Sequence, residues 1–400
     1  MLKKLSLAAL VAMGTMSVAS ASTDLSDAIK GVTIGGFLRY RGTEDNTKPD
    51  SDANHENTTK NEYKAVLNMN IKASDAMTVH GRLVYLNKYY SNKSAVDDQK
   101  DKNKDYNMNH LYSQKHYNNG NKSTFNVREA YLNYKANGLN VKAGQQALVT
   151  PLTDHDDDYA NGVLASYTMS GITGVAAYYN HLSNAGATTT LTNNIGVLAV
   201  VADIKPVKVQ AWYYNVSDSG DDNKDGKDAY FIEAGANVGP AAVRAQYISK
   251  KQDDKDRQKF WAVAATGKVD VASVTAAYLD FGKDGSNVTV GTTNADKQIA
   301  AGDILTDMIQ QDNVNINDGW AGALVASAKY GAVKAGVQYV HATVDKSEDK
   351  TKLNEYDLDL AYAYTKKLNF SGYYAVLKND CGSDDDETTT EFRFEAKYSF

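Results

Sequence analysis

The sequence is poor in cysteine, basic residues and long apolar runs, and each shortage excludes a class of protein. One cysteine, Cys381, occurs in 400 residues, so an intrachain disulfide framework is excluded. Beyond residue 21 no run of about 18 apolar residues occurs, which excludes a transmembrane helix. Lys and Arg number 43 against 49 Asp and Glu, and this acidic balance argues against a nucleic-acid partner, because such proteins need a basic face.

The N-terminus carries the one extended apolar segment of the chain. Lys3 and Lys4 precede an apolar run, and Ala19-Ser20-Ala21 supplies small residues at the positions typical of a cleavage site. This pattern predicts a secretory signal peptide over residues 1–21 and a mature domain over residues 22–400, because the apolar run is too short for a membrane anchor. Loss of two lysines leaves 41 bases against 49 acids, a net charge of −8.

What the chain does contain is strict two-residue alternation, which indicates strands with one apolar and one polar face. The C-terminal stretch "TTTEFRFEAKYSF" shows it most clearly. Eighteen such segments are predicted, each long enough to cross a bilayer at the tilt of barrel strands. They lie near residues 31–42, 61–73, 77–90, 123–136, 139–147, 159–169, 172–182, 193–204, 206–217, 228–239, 240–250, 258–269, 271–282, 319–331, 332–344, 353–365, 367–378 and 388–400.

The connections alternate between tight turns, such as "NG" at 137–138, and long polar loops. Short turns at one end and long loops at the other are typical of bacterial outer-membrane barrels. We therefore expect an all-β fold: a transmembrane antiparallel β-barrel of about 18 strands with short periplasmic turns and long extracellular loops. A secreted β-solenoid or sandwich is the soluble alternative, but it does not explain apolar faces such as Leu358 and Leu360 beside Asp357 and Asp359.

Several segments carry a family resemblance that spans the chain in order. These are "LSDAIKGVTIGGFLRYR" (25–41), "NVREAYLNYK" (126–135), "VKAGQQAL" (141–148), "KLNFSGYYAVL" (367–377) and the terminal "KYSF". They resemble the Campylobacter-type, epsilon-proteobacterial major outer-membrane porins. The resemblance implies an eighteen-stranded, water-filled, usually trimeric barrel that passes small hydrophilic solutes, with a third loop folded into the pore. Here that loop reads "LVTPLTDHDDDYANG", which is shorter and more acidic than the family leads us to expect.

Two sets of charges are the candidate pore site. The first is the acidic third loop, which we expect to narrow the pore rather than to be a solvated external loop; its acids are Asp154, Asp156, Asp157 and Asp158. The second is a set of cations that alternation places on inward faces of the contiguous strands near the N- and C-termini: Arg39, Arg41, Lys64, Arg82, Arg393 and Lys397. Simple aqueous lining is the competing interpretation of these cations. Walls of opposite charge across a narrow pore select ions at close range.

The fourth strand is ambiguous in its alternation. If Ala130, Leu132 and Tyr134 face lipid, then Glu129 points inward and Arg128 does not.

The function expected from these features is a general diffusion porin with mild cation preference, because acidic loops concentrate cations at the pore mouth. A solute-specific channel and a surface barrel whose long loops act in adhesion are the alternatives. The seven histidines have no nucleophile or orienting partner nearby in sequence, so an enzyme is not expected. His80 and His341 are interpreted as lining or girdle residues.

A metal site receives weaker support. "DDNKDG" at 221–226 fits the first half of a calcium loop, with Asp221, Asn223 and Asp225 as ligands, but position 12 is Ile232 rather than a glutamate. An exposed polar turn is the alternative, and no other cofactor is expected.

The C-terminal strand predicts both the closing seam and an assembly signal. Tyr398 and Phe400 are expected at the periplasmic rim, where a terminal aromatic strand resembles the signal read by the barrel assembly machinery. The expected partners are outer-membrane lipid, lipopolysaccharide and two further copies in a homotrimer, with no nucleic acid. The expected location is the bacterial outer membrane.

Overall fold

The structure of the protein is a computed structural model that describes residues 31–49, 56–94, 123–154, 156, 158–184, 190–191, 193–218, 227–251, 256–282, 318–346, 349–380 and 386–400. Eighteen long strands account for most of these residues. They are β1 (Val32–Pro49), β2 (Glu56–Lys72), β3 (Met77–Ser94), β4 (Ser123–Ala136), β5 (Leu139–Ala147), β6 (Asp158–Met169), β7 (Ile172–Asn184), β8 (Asn193–Ile204), β9 (Val207–Asp218), β10 (Lys227–Val238), β11 (Ala241–Lys250), β12 (Gln258–Val269), β13 (Ala272–Phe281), β14 (Gly319–Tyr330), β15 (Val333–Lys346), β16 (Asp349–Ala363), β17 (Leu368–Asp380) and β18 (Glu387–Ser399). A two-residue segment, Thr190–Leu191, extends the pairing of β7. No helix in the described ranges is long and apolar enough to cross a membrane.

The strands form one closed antiparallel sheet, as the sequence predicts. Each strand pairs with its neighbour in sequence, and β18 pairs with β1 from Phe37↔Ser399 to Pro49↔Glu387. Closure gives every strand two partners, which is how a sheet satisfies its backbone groups inside hydrocarbon.

Tight turns join the strand pairs at one end of the barrel. Asn137 and Gly138 have φ of 50° and 82° between β4 and β5, the positive values of a type I′ hairpin turn. The predicted bounds of the strands at 123–136, 139–147, 193–204 and 258–269 match the structure. The largest difference is at β1, predicted over 31–42, because its last residues continue the ladder with polar side chains that carry no hydrophobic alternation.

The two faces of the sheet differ as a membrane barrel requires. On β16, Leu358 and Leu360 are 58% and 57% exposed, whereas Asp357, next to Leu358, is 5% exposed. Directly paired residues lie on the same face, so the faces can be followed from strand to strand. Near the long-loop end, Trp261, Tyr278 and Trp320 form part of an outward aromatic belt, with ring centroids 5.3 and 6.0 Å apart. Such belts mark membrane–water interfaces.

Candidate pore constriction

The segment between β5 and β6 folds back on itself through its threonines. The Thr153 hydroxyl donates to the carbonyl of Leu148 at 2.5 Å and lies 2.9 Å from the Thr150 hydroxyl. Leu148 and Leu152 are fully buried. These contacts give the segment a fixed shape despite its lack of regular structure.

Three of the four predicted acids of this segment lie in the described part of the chain, while Asp157 and the neighbouring His155 lie outside it. Asp158 is the first residue of β6 and is 1% exposed; its Oδ2 accepts the Asp154 N–H at 3.0 Å. The Asp154 carboxylate in turn accepts the Asp156 N–H at 2.8 Å. The three described acids thus form a compact turn at the entry to β6.

This acidic segment lies inside the barrel. Asp156 Oδ1 is 3.2 Å from Arg82 Nη2 on β3, although two strand spacings separate β3 from β5. On the side of the segment away from β3, Leu148 and Leu152 belong to one buried cluster with Tyr214 of β9. A segment that reaches both β3 and β9 must lie across the inner surface of the strands between them.

The seam between β18 and β1 carries predicted cations together with acids. Arg39 pairs with Glu62 on β2 and lies 3.8 Å from Glu395 on β18. Arg41 donates to the same Glu395 from Nε and Nη2, at 3.1 and 2.8 Å. Ion pairs therefore cross the seam on the inner face, where they align the first and last strands.

The remaining cations of this wall are also held in place. Arg393 Nη2 lies 2.9 Å from Glu391, and its Nε donates to the Thr43 hydroxyl across the seam at 3.1 Å. Lys397 Nζ lies 4.4 Å from the centroid of the Phe37 ring, and Lys64 is 8% exposed. The contiguity expected for these side chains follows from closure of the barrel.

The sequence reasoning missed the acids of this wall. Glu391 and Glu395 alternate on the same face as Arg393 and Lys397, and Glu62 shares the face of Lys64. The two-residue alternation of side chains alone was sufficient to place these acids on the inner face. With these acids included, the wall is a ladder of mixed charge rather than a basic surface.

A β-bulge in β4 explains the ambiguity of that strand. Arg82 pairs with Glu129, but Leu83 pairs with Val127, so Arg128 is an extra residue. Glu129 Oε1 lies 3.4 Å from Arg82 Nη1 and therefore points inward, as the sequence predicts. Arg128 does not follow the alternation rule: it is 3% exposed, and its guanidinium lies 5.2 Å from the ring centroid of Tyr159.

The wall from β7 to β17 differs from the polar lining expected of a pore. Toward the long loops its inward residues are apolar and buried, as Leu279, Val340 and Leu353 show. Toward the tight turns the inward residues are polar and open to solvent. Asp203 and Lys208, paired across β8 and β9, have side chains 51% and 69% exposed. The turn-side half of the lumen is thus an aqueous vestibule.

Two histidines that the sequence places within strands, His80 and His341, lie on opposite faces of the barrel wall. His80 faces the lumen, with Nδ1 2.7 Å from Asn70 Oδ1 and Nε2 3.7 Å from Glu129. His341 lies on the outer face, with its ring centroid 5.3 Å from that of Trp320 in the aromatic belt.

The three residues of the calcium hypothesis, Asp221, Asn223 and Asp225, lie outside the described residues. Within the ranges that the structure describes, no group of three His, Cys, Asp or Glu side chains is placed to hold a metal ion.

Closure, an outward aromatic belt and one inward loop define an outer-membrane channel of the porin class. The family model of the Campylobacter major outer membrane protein matches residues 1–208, and the chain belongs to this family. This confirms the resemblance found in the sequence. The family and the fold are those of outer-membrane porins rather than enzymes, and they place the protein in the outer membrane.

Solved porins of Pseudomonas aeruginosa share the fold. OccK8 (OprE) is 12% identical with a TM-score of 0.66, covering 93% of this chain and 98% of that one. OpdK is 11% identical with a TM-score of 0.66, covering 92% and 99%, and OccK7 (OpdD) is 11% identical with a TM-score of 0.64, covering 92% and 98%. At this identity the likeness shows the fold alone. No curated protein matches the chain significantly.

Proposed function

We propose that the protein is a general diffusion porin, a water-filled channel for ions and small hydrophilic solutes. The observation that carries this proposal is the contact between Asp156 of the inward segment and Arg82 of the barrel wall, 3.2 Å apart. It places charges of both signs at one level of the lumen, above a vestibule whose inward charges are solvent-exposed. Charged side chains that line a narrow passage are how pores select ions at close range.

We further propose a mild preference for cations. The mixed wall contributes little net bias because its cations are paired with acids such as Glu62 and Glu395. The bias comes from acidic runs of the connecting segments, "DHDDD" in the inward segment and "GSDDDE" between β17 and β18, because acidic side chains raise the local concentration of cations.

The test is single-channel recording in planar bilayers under a potassium chloride gradient, with cations and anions of graded size. We expect ohmic conductance, a reversal potential displaced toward the potassium equilibrium potential, and a cut-off with ion size. A reversal potential that favours chloride would overturn the cation preference. Saturation by one solute would favour a solute-specific channel instead.

Export and assembly complete the proposal. The lysine-flanked apolar N-terminus supports cleavage after residue 21, and the family resemblance supports a homotrimer in a membrane that contains lipopolysaccharide. Mass spectrometry of the protein from outer membranes checks the first point. Three equal conductance steps per insertion event, together with a crosslinked trimer, check the second.

A further inference from the structure

The segment "AGQQ", which carried much of the family resemblance, has a structural role beside the β4 bulge. Gln145 lies on β5, paired with Ala130 of β4. Its Nε2 donates to the carbonyl of Val127 at 2.8 Å and to the carbonyl of Arg128 at 3.1 Å. A bulge interrupts the ladder between two strands and leaves backbone groups in need of partners. Gln145 supplies a donor to the two carbonyls of this bulge.

The position of the bulge makes that donor important. Outward residues on either side of it, Phe125 and Leu132, are 66% and 50% exposed, so the bulge lies in the membrane-facing part of β4. Hydrocarbon offers no water to a carbonyl without a partner. Exposing a glutamine side chain to lipid is unfavourable. The hydrogen bonds that Gln145 donates to the bulge explain why a glutamine occurs at this position.

The bulge brings two consecutive residues close to the acidic segment, Glu129 through Arg82 and Arg128 at the start of β6, where that segment ends. Glu129 bonds Arg82, which in turn contacts Asp156. Arg128 lies over Tyr159, the residue that follows Asp158. In an unbroken strand, consecutive side chains point to opposite faces. Here both are buried, at 3% and 8% exposure.

We propose that Gln145 is a positioning residue for the pore constriction. By holding the bulge carbonyls it fixes Arg128 and Glu129 against the acidic segment, and so sets the charge that a permeating ion meets. The proposal rests on the channel function proposed above.

The test compares Gln145→Met, which keeps the length of the side chain but cannot donate, with Arg128→Met and the double variant. We expect each single variant to shift the reversal potential toward potassium, because the fixed cation is lost or displaced. The double variant should match Arg128→Met alone, since Gln145 acts through the bulge. Asn215→Leu, which removes an outward amide from β9 far from the bulge, is the matched control and should leave the reversal potential unchanged.

A Gln145→Met channel with the wild-type reversal potential would overturn the inference, as would shifts that add fully in the double variant. If Gln145→Met does not assemble, deletion of Arg128 provides a second test of the role of Gln145. The deletion should restore a regular ladder, in which Leu83 still pairs with Val127 and Arg82 with Glu129. In that background a channel with Gln145→Met should assemble normally. Failure to assemble there would also overturn the inference. Absence of any current from the wild-type protein would contradict the channel function, whereas the assembly comparison stays informative about Gln145.

Discussion

Gly36 and Phe400 exchange two backbone hydrogen bonds that complete the seam of the barrel. The Gly36 N–H donates to the Phe400 carbonyl and the Phe400 N–H donates to the Gly36 carbonyl, each at 3.1 Å. A Cβ added at Gly36 would lie 2.0 Å from the Val66 carbonyl oxygen and 3.1 Å from Cζ of Phe400. The absence of a side chain at Gly36 therefore lets β18, β1 and β2 meet at the rim.

Gly36→Ala should prevent normal closure, because the obstructing atom belongs to the backbone of β2 and cannot rotate away. The cost should be at least the roughly 1–3 kcal/mol of an overpacked site. Loss of the heat-modifiable folded band on electrophoresis measures the effect. Gly174→Ala is the control, since no atom lies within 4 Å of a Cβ at that glycine; equal yields of the two variants would contradict the prediction.

Deletion of Phe400 should impair assembly more than conductance. It removes both backbone hydrogen bonds to Gly36 and the ring that lies 6.4 Å from Tyr398, but none of the paired charges of the lumen. The expected result is a low yield of folded barrel whose surviving channels conduct like the wild type. Phe400→Leu keeps the backbone bonds and should recover part of the yield. Altered single-channel conductance in the deletion would show that the seam also shapes the pore.

The sequence predicts the barrel well because alternation and turn chemistry are local signals. Asn137-Gly138 demands a hairpin turn, and the alternation of β18 positions the seam. The β4 bulge also left a signal: the apolar phase runs through Phe125 and Val127 and then resumes at Ala130. Only an inserted residue shifts that phase without ending the strand.

The site was harder to predict because its contacts are long-range. Nothing local to Asp156 indicates that it meets Arg82, 74 positions earlier in the chain. The apolar inner surface was not predicted from the sequence, for a different reason. In segments such as "WAGALVASA" both faces are apolar, so alternation does not reveal that Ala321 and Ala323 are inward and buried.

Arg257→Met should destabilise the long-loop rim without changing conduction. The Arg257 Nη2 donates to both carboxylate oxygens of Asp228 at 2.7 and 2.6 Å, and the guanidinium lies 5.3 Å from the ring of Tyr230. Loss of this partly exposed pair should cost about 1 kcal/mol. A lower urea midpoint of unfolding in micelles measures it. Arg257→Lys keeps the charge but not the planar guanidinium that lies over Tyr230, and its midpoint should fall between those of Arg257→Met and the wild type. An unchanged midpoint in both variants would show that the pair is not stabilising.

Asp156→Asn and Arg82→Met should shift ion selectivity in opposite directions. Asp156 has a side chain 53% exposed and Arg82 one 16% exposed, so the acid is the more accessible member of the pair to a passing ion. Removing the acid should move the reversal potential toward chloride, and removing the cation should move it toward potassium. The double variant conserves net charge and should return close to the wild-type value. Asp75→Asn, in the solvated turn where Lys72 lies 2.7 Å away, removes an acid outside the lumen and should change nothing. Shifts of the same sign in both single variants would mean that the loss of the contact, rather than of its charges, alters the pore.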